Sequence, residues 1–279
     1  MTSVRPPAVD GRFYPRDAGE LGRLLDELLA AVEVPPDDPP APAYVVPHAG
    51  YRYSGPTAAQ VYARLHRYGG TVSRVVVLGP AHYVPVDGCA VPTTAQWLTP
   101  LGGVDIDGAG ARALVTEGHA VADDRPFTPE HSIEVQVPFL QRVLPAGVPL
   151  LPVLVGRSTV DVAASAVMAA ISAGDPATTV VLCSTDLSHY LDDAAAREQD
   201  SRTAQAVLDL APERITAHDA CGAFALRGTL DWARSRALSP RLLHLCTSAD
   251  TAGDPTRVVG YSAFALTLPP SADESTRVG

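Results

Sequence analysis

Short apolar, β-branched runs recur along the chain, separated by segments whose apolar positions follow helical spacing. Residues 44–46, 74–78 (RVVVL), 149–155 and 178–183 (TTVVLC) are too short for buried helices and read as strands covered on both faces. Residues 241–247 and 258–266 read as further strands, and 89–91 with the segment around Trp97 as extended pieces of an antiparallel hairpin. Leu21, Leu24, Leu25, Leu28, Leu29 and Val32 share one face of a helix entered through Asp17 and Glu20. Helices are also predicted over 57–66, 109–117, 160–172, 192–210 and 221–236. Thr128-Pro129-Glu130-His131 has the make-up of a helix start, a Thr cap followed by Pro and an acid. Pro138 falls inside the helix this predicts (EHSIEVQVPFLQRVL) and should kink or break it. Residues 35–42 (PPDDPPAP), with five prolines in eight positions, form neither helix nor central strand and read as a surface linker.

Strands alternating with helices predict an α/β fold with a central, mainly parallel sheet flanked by helices. No Pro/Gly-rich break divides the chain and no internal repeat is visible, so residues 1–279 are read as one domain with a frayed polar tail over 269–279. Composition narrows the chemistry. With 21 basic and 31 acidic residues the net charge is -10, and no basic run offers a footprint for nucleic acid or an anionic membrane. Every Lys/Arg position is Arg, and neither Lys nor Asn occurs, which excludes a Schiff-base or P-loop lysine and a Cys-His-Asn protease arrangement. Cys89, Cys183, Cys221 and Cys246 are scattered without CxxC pairing and read as reduced thiols. With no leader-like start and no apolar run near the ~20 residues of a spanning helix, a cytoplasmic protein is expected.

Three of the predicted strands end in histidine-bearing turns: Pro47-His48-Ala49-Gly50-Tyr51, Gly79-Pro80-Ala81-His82-Tyr83, and Ser184-Thr185-Asp186-Leu187-Ser188-His189-Tyr190. Parallel strands direct their carboxyl ends to one rim, where open α/β sheets gather ligands, so a metal site or a proton-transfer site is expected there. Cys221, at a predicted helix start, is either a thiol activated by the helix N-terminus or a small buried hydrophobe. His131 and Glu134, three apart, with Glu130 before them, are either a polar first turn or part of the site. Tyr51 and Tyr53 either line a pocket or pack the turn, and Phe13 and Tyr14 anchor the N-terminal segment. Ser188-His189 with Asp186 has the residue types of a serine hydrolase, but no GxSxG elbow accompanies it, and no GxGxxG fingerprint occurs.

The blocks PHAGYRYSG, LGPAHYVPVDGCAV, EHSIEVQVPFL, PVLVG, STDLSHY and the Cys-Gly at Cys221 follow the order seen in the Memo family, also called AmmeMemoRadiSam system protein B. The chain resembles that family from DGRFYP to GYSAFAL. The resemblance implies a single α/β domain similar to the class III, LigB-type extradiol dioxygenases, with the pocket at the strand ends. It implies His48, His82 and Cys221 as ligands of iron, with copper the alternative, a soft thiolate beside two imidazoles suiting these metals. Asp186 and His189 then form a candidate acid–base pair, Glu130, His131 and Glu134 a further block of the site, and Phe13 stands where some members carry Trp. Three readings follow. One is a dioxygenase-like oxidoreductase. The second is a metal- or ligand-binding accessory protein acting with a radical-SAM protein and an AMMECR-type domain protein. The third is metal-assisted hydrolysis.

Overall fold

The computed structural model describes residues 3–251 and 253–269. The tail expected to fray lies, from residue 270 on, outside the described residues. In chain order the elements begin with β1 (Val4–Arg5), α1 (Ala18–Ala30), β2 (Ala43–Val46), α2 (Tyr51–Tyr68) and β3 (Arg74–Pro80). There follow β4 (Cys89–Val91), β5 (Gln96–Thr99), β6 (Gly102–Asp105), α3 (Gly108–Thr116), β7 (Val121–Ala122) and α4 (Val137–Val143). The second half contains β8 (Leu150–Val155), α5 (Val160–Ser172), β9 (Thr179–Ser184), β10 (His189–Leu191) and α6 (Asp193–Leu208). It closes with α7 (Ala223–Ser235), β11 (Ser239–Thr247) and β12 (Val258–Thr267).

The four apolar runs become the parallel heart of the large sheet, in the order β2-β9-β3-β8. Antiparallel β12 and β11 extend it on one side, antiparallel β4 on the other, with β7 beyond and β10 pairing β12. The sheet is therefore mixed, as expected. Alternation along each strand feeds two cores. Val45, Val76 and Leu78 face the layer of α3, α5, α6 and α7, while Tyr44, Val46, Val75 and Val77 face α1, α2 and α4. Both faces are dry, which is why these strands carry continuous apolar runs.

Three local expectations are corrected. First, α2 starts at Tyr51, not at 57, because the carbonyl of Phe13 accepts the Tyr51 N–H at 2.8 Å and stabilises an earlier first turn. Second, Thr128 starts no helix: the chain turns there, and α4 opens only at Val137 with Pro138 in its first turn. Pro138 thus begins the helix rather than kinking it, since its missing N–H would have no helical partner there. Third, the hairpin is β5–β6, in a separate three-stranded sheet with β1, while β4 joins the large sheet beside β8. The Pro-rich segment is a loop as predicted, but it is pinned: Asp38 within it is buried and accepts from Arg64 at 2.6 Å.

Candidate metal centre

β2, β3 and β9 are parallel neighbours, so the turns that follow them emerge at one edge. His48, His82 and Asp186 meet there, joined by His131 from the turn before α4 and Cys221 from the turn before α7. They line a cavity of about 600 Å³. His48 and His82 have ring centroids 5.3 Å apart, His82 and His131 4.8 Å, and His48 and His131 5.5 Å. One ligand nitrogen from each of these three lies within 4.8 Å of the others, a group that could hold a metal ion.

The surrounding hydrogen bonds decide which nitrogens are free. Ser184 Oγ donates to the Ser132 carbonyl at 2.6 Å and accepts the Gln136 amide at 2.8 Å. Its single proton is therefore committed, so at 3.0 Å from His48 Nδ1 it must accept. That fixes the proton of His48 on Nδ1 and leaves Nε2 as an acceptor, facing the cavity and Cys221. The Glu130 carboxylate does the same for His82, accepting from Nδ1 at 2.9 Å and from the His82 backbone N–H at 2.6 Å. Glu130 also accepts the N–H groups of His131 and Ser132. Burial acts most strongly and would raise this carboxyl, but the bonds from His82 and Ser132 together outweigh it and bring it to about 2. These same bonds curl residues 130–132 around the carboxylate and replace the expected helix start with a turn. Imidazoles whose second nitrogen is held by a carboxylate or a fixed acceptor are oriented as metal ligands are.

His48 and His131 are also kept neutral. Burial first, then repulsion from His82, holds His48 well below its ordinary range. Burial first, then His48, brings His131 down to about 4. Neutral imidazole is the ligating form.

Cys221 Sγ lies 3.2 Å from His48 Nε2 and accepts the Asp186 N–H at 3.3 Å. Of the two readings of Cys221, activation by a helix start is not supported. The helix begins at Ala223, and burial first, then the neighbouring Asp186, push the thiol pKa up. A thiol in this environment would ionise only on meeting a cation, not through the helix dipole. Asp186 is buried, which raises its carboxyl, and its Oδ1 accepts the His48 N–H at 2.7 Å. It does not orient His189, whose Nδ1 instead donates to the Leu187 carbonyl at 2.8 Å, leaving Nε2 free at the cavity wall.

Other expected site residues divide. Phe13 lines the cavity, its ring 4.6 Å from that of His131. Tyr51 is buried outside it and donates to the Val135 carbonyl at 2.6 Å, and Tyr53 lies beside Arg52 away from the cavity lining. Glu134 also points away. It accepts from Ala8 N, Val9 N and Tyr14 Oη, and pairs with buried Arg5 at 2.7 Å. Its role is to strap the N-terminal segment, and with it Phe13, over the site. Ser188 is wholly buried, which removes the serine-nucleophile reading.

Tyr83, Tyr190 and His218 line the outer cavity without having been singled out in the sequence. Tyr190 adopts φ 65°, a backbone region strained for a non-glycine residue, and stacks under Arg257 at 4.4 Å. Its place directly after His189 was the only available signal.

The Memo-like protein family matches residues 5–265. The chain belongs to the Memo family. A MEMO1 family protein of Methanopyrus kandleri is 36% identical over 286 residues, covering 93% of this chain and 98% of that protein. The Ignicoccus hospitalis member is 36% identical over 287 residues (95% and 99% of the two chains) and the Sulfolobus acidocaldarius member 34% over 278 (92% and 97%). The match therefore spans both the N-terminal strap and the strand-end cavity. Among the described residues of this Memo-family chain, no helix is long and apolar enough to cross a membrane.

Proposed function

We propose that this Memo-family protein binds a redox-active metal, iron or copper, through His48, His82 and Cys221, with His131 as a further nitrogen donor. The supporting observation is that Ser184 and Glu130 engage Nδ1 of His48 and His82, leaving both Nε2 atoms to face one cavity beside a thiol. Two imidazoles with a thiolate suit iron or copper, and the donor set is poor for magnesium or calcium. Bound there, the metal supplies electron transfer and an electrophilic centre for small ligands, the chemistry of a dioxygenase-like oxidoreductase. The chain's own residues hold the rest: Glu130 and Ser184 fix the ligand rings, Phe13 screens His131 from water, and His189 offers a free Nε2 for proton transfer.

Elemental analysis after anaerobic loading with iron or copper tests this. Wild-type protein is expected to retain stoichiometric metal, and His48→Ala and Cys221→Ala to lose it. Unchanged metal content in both variants overturns the assignment. Metal retention without oxygen consumption on any reduced substrate selects the accessory role, with radical-SAM and AMMECR-type partners.

A further inference from the structure

At the opposite end of the sheet, where β2, β3 and β9 begin, lies a second cavity of about 560 Å³. Its floor is Tyr44, Leu65, Val180 and Trp232, all buried. This volume and apolar lining are those of small-molecule sites, which run roughly 300–1,000 Å³. One charged residue borders it. Arg236 follows α7 at the rim, exposed, and its guanidinium has no acidic partner or hydrogen bond among the described residues.

One wall is Pro40-Ala41-Pro42, the end of the Pro-rich segment that the metal site leaves unexplained. That wall is held unusually firmly for a surface loop. Asp38 is buried, receives Arg64 at 2.6 Å and Arg241, and its carbonyl accepts from Tyr68 Oη. Prolines and a buried ion pair together give a preformed wall, the condition under which an apolar cleft retains a ligand with least ordering on binding.

The geometry points to a binding site here for a free amphiphile with one anionic head, a medium-chain carboxylate, whose chain lies on Trp232 and Leu65 and whose head meets Arg236. An apolar cleft with one cation at its rim, unpaired among the described residues, selects charge at one end only. The proposal is independent of the metal centre.

Decanoate titrated into the full chain, followed by calorimetry and by Trp232 fluorescence, tests it. Saturable binding is expected, with Trp232 emission changing; the other tryptophan, Trp97, is buried in β5 away from the cavity. Arg236→Gln is expected to weaken decanoate by about tenfold while leaving decanol unchanged. Ser172→Phe, at an exposed rim position ending α5, is expected to block both ligands. No saturable binding, equal binding of decyltrimethylammonium, or binding indifferent to both substitutions overturns the proposal. So does a concentration-dependent dimer that Ser172→Phe abolishes and decanoate leaves intact, which would assign the cavity to a second copy.

Discussion

Oε1 of Glu130 accepts from Nδ1 of His82 at 2.9 Å while Oε2 of the same carboxylate accepts the His82 backbone N–H at 2.6 Å. One carboxylate thus fixes both the position and the tautomer of a proposed ligand. Glu130→Gln keeps the shape but loses the charge and one acceptor. Metal affinity is expected to fall about 10–100-fold. Competition with a chelator of known affinity measures it; an unchanged affinity would show that the His82 tautomer does not depend on Glu130.

Acid should destabilise the metal-free protein in two stages. His131 is brought down to about 4 from an ordinary 6.5, so between these values the unfolded chain binds more protons than the folded one. Its contribution is therefore full above pH 6.5 and is lost as pH falls towards 4. Glu130, brought from 4.5 to about 2, loses its contribution between those values. Urea midpoints measured across this range should decline from pH 6.5 downward, and His131→Asn should flatten the upper part.

Arg5 and Glu134 form a buried pair that holds the N-terminal strap. Removing Arg5 leaves the Glu134 charge buried with fewer partners, and Arg5→Ala is expected to cost about 3–5 kcal/mol. Limited proteolysis should then cut before Tyr14 well before the body unfolds. Co-operative loss of the whole fold, with no early cut, would show that the strap is inseparable from the core.

A Cβ at Gly260 would stand 1.8 Å from Oδ2 of buried Asp200, whose other oxygen accepts the Ser188 N–H at 3.0 Å. Gly260→Ala must displace Asp200 and the turn that carries His189. A loss of about 1–3 kcal/mol is expected. Denaturant melts measure it, and a shifted His189 imidazole resonance should accompany the loss.

The parallel strands were legible because burial on both faces writes an uninterrupted apolar run, as in RVVVL. His48 and His82 were legible for a related reason: each follows such a run at its carboxyl end. The turn at Glu130 was not. Thr-Pro-Glu has the composition of a helix cap, and the distant His82 together with the N–H groups of His131 and Ser132 draws the carboxylate into a different set of bonds. Glu134 misled in the same way, since its partners Ala8, Val9 and Tyr14 lie more than a hundred residues earlier. For Cys221, local sequence left activation at a helix start and burial as alternatives, and packing against Asp186 sets its environment. Family resemblance supplied the association of Cys221 with His48, and their 3.2 Å approach is a property of the fold.

The groups of the strand-end cavity stand at positions 48, 82, 131, 186 and 221, and β12, which closes the sheet against β2, ends at Thr267. No short fragment of the chain contains the set. Contacts this far apart in sequence form late, after the loop-closure entropy of nearly the whole chain has been overcome. A metal at this site would therefore be captured by the finished fold and not by the nascent chain. It would stabilise that fold in proportion to the logarithm of free metal concentration. Synthesis stalled before residue 258 should yield a polypeptide that competes poorly for the ion.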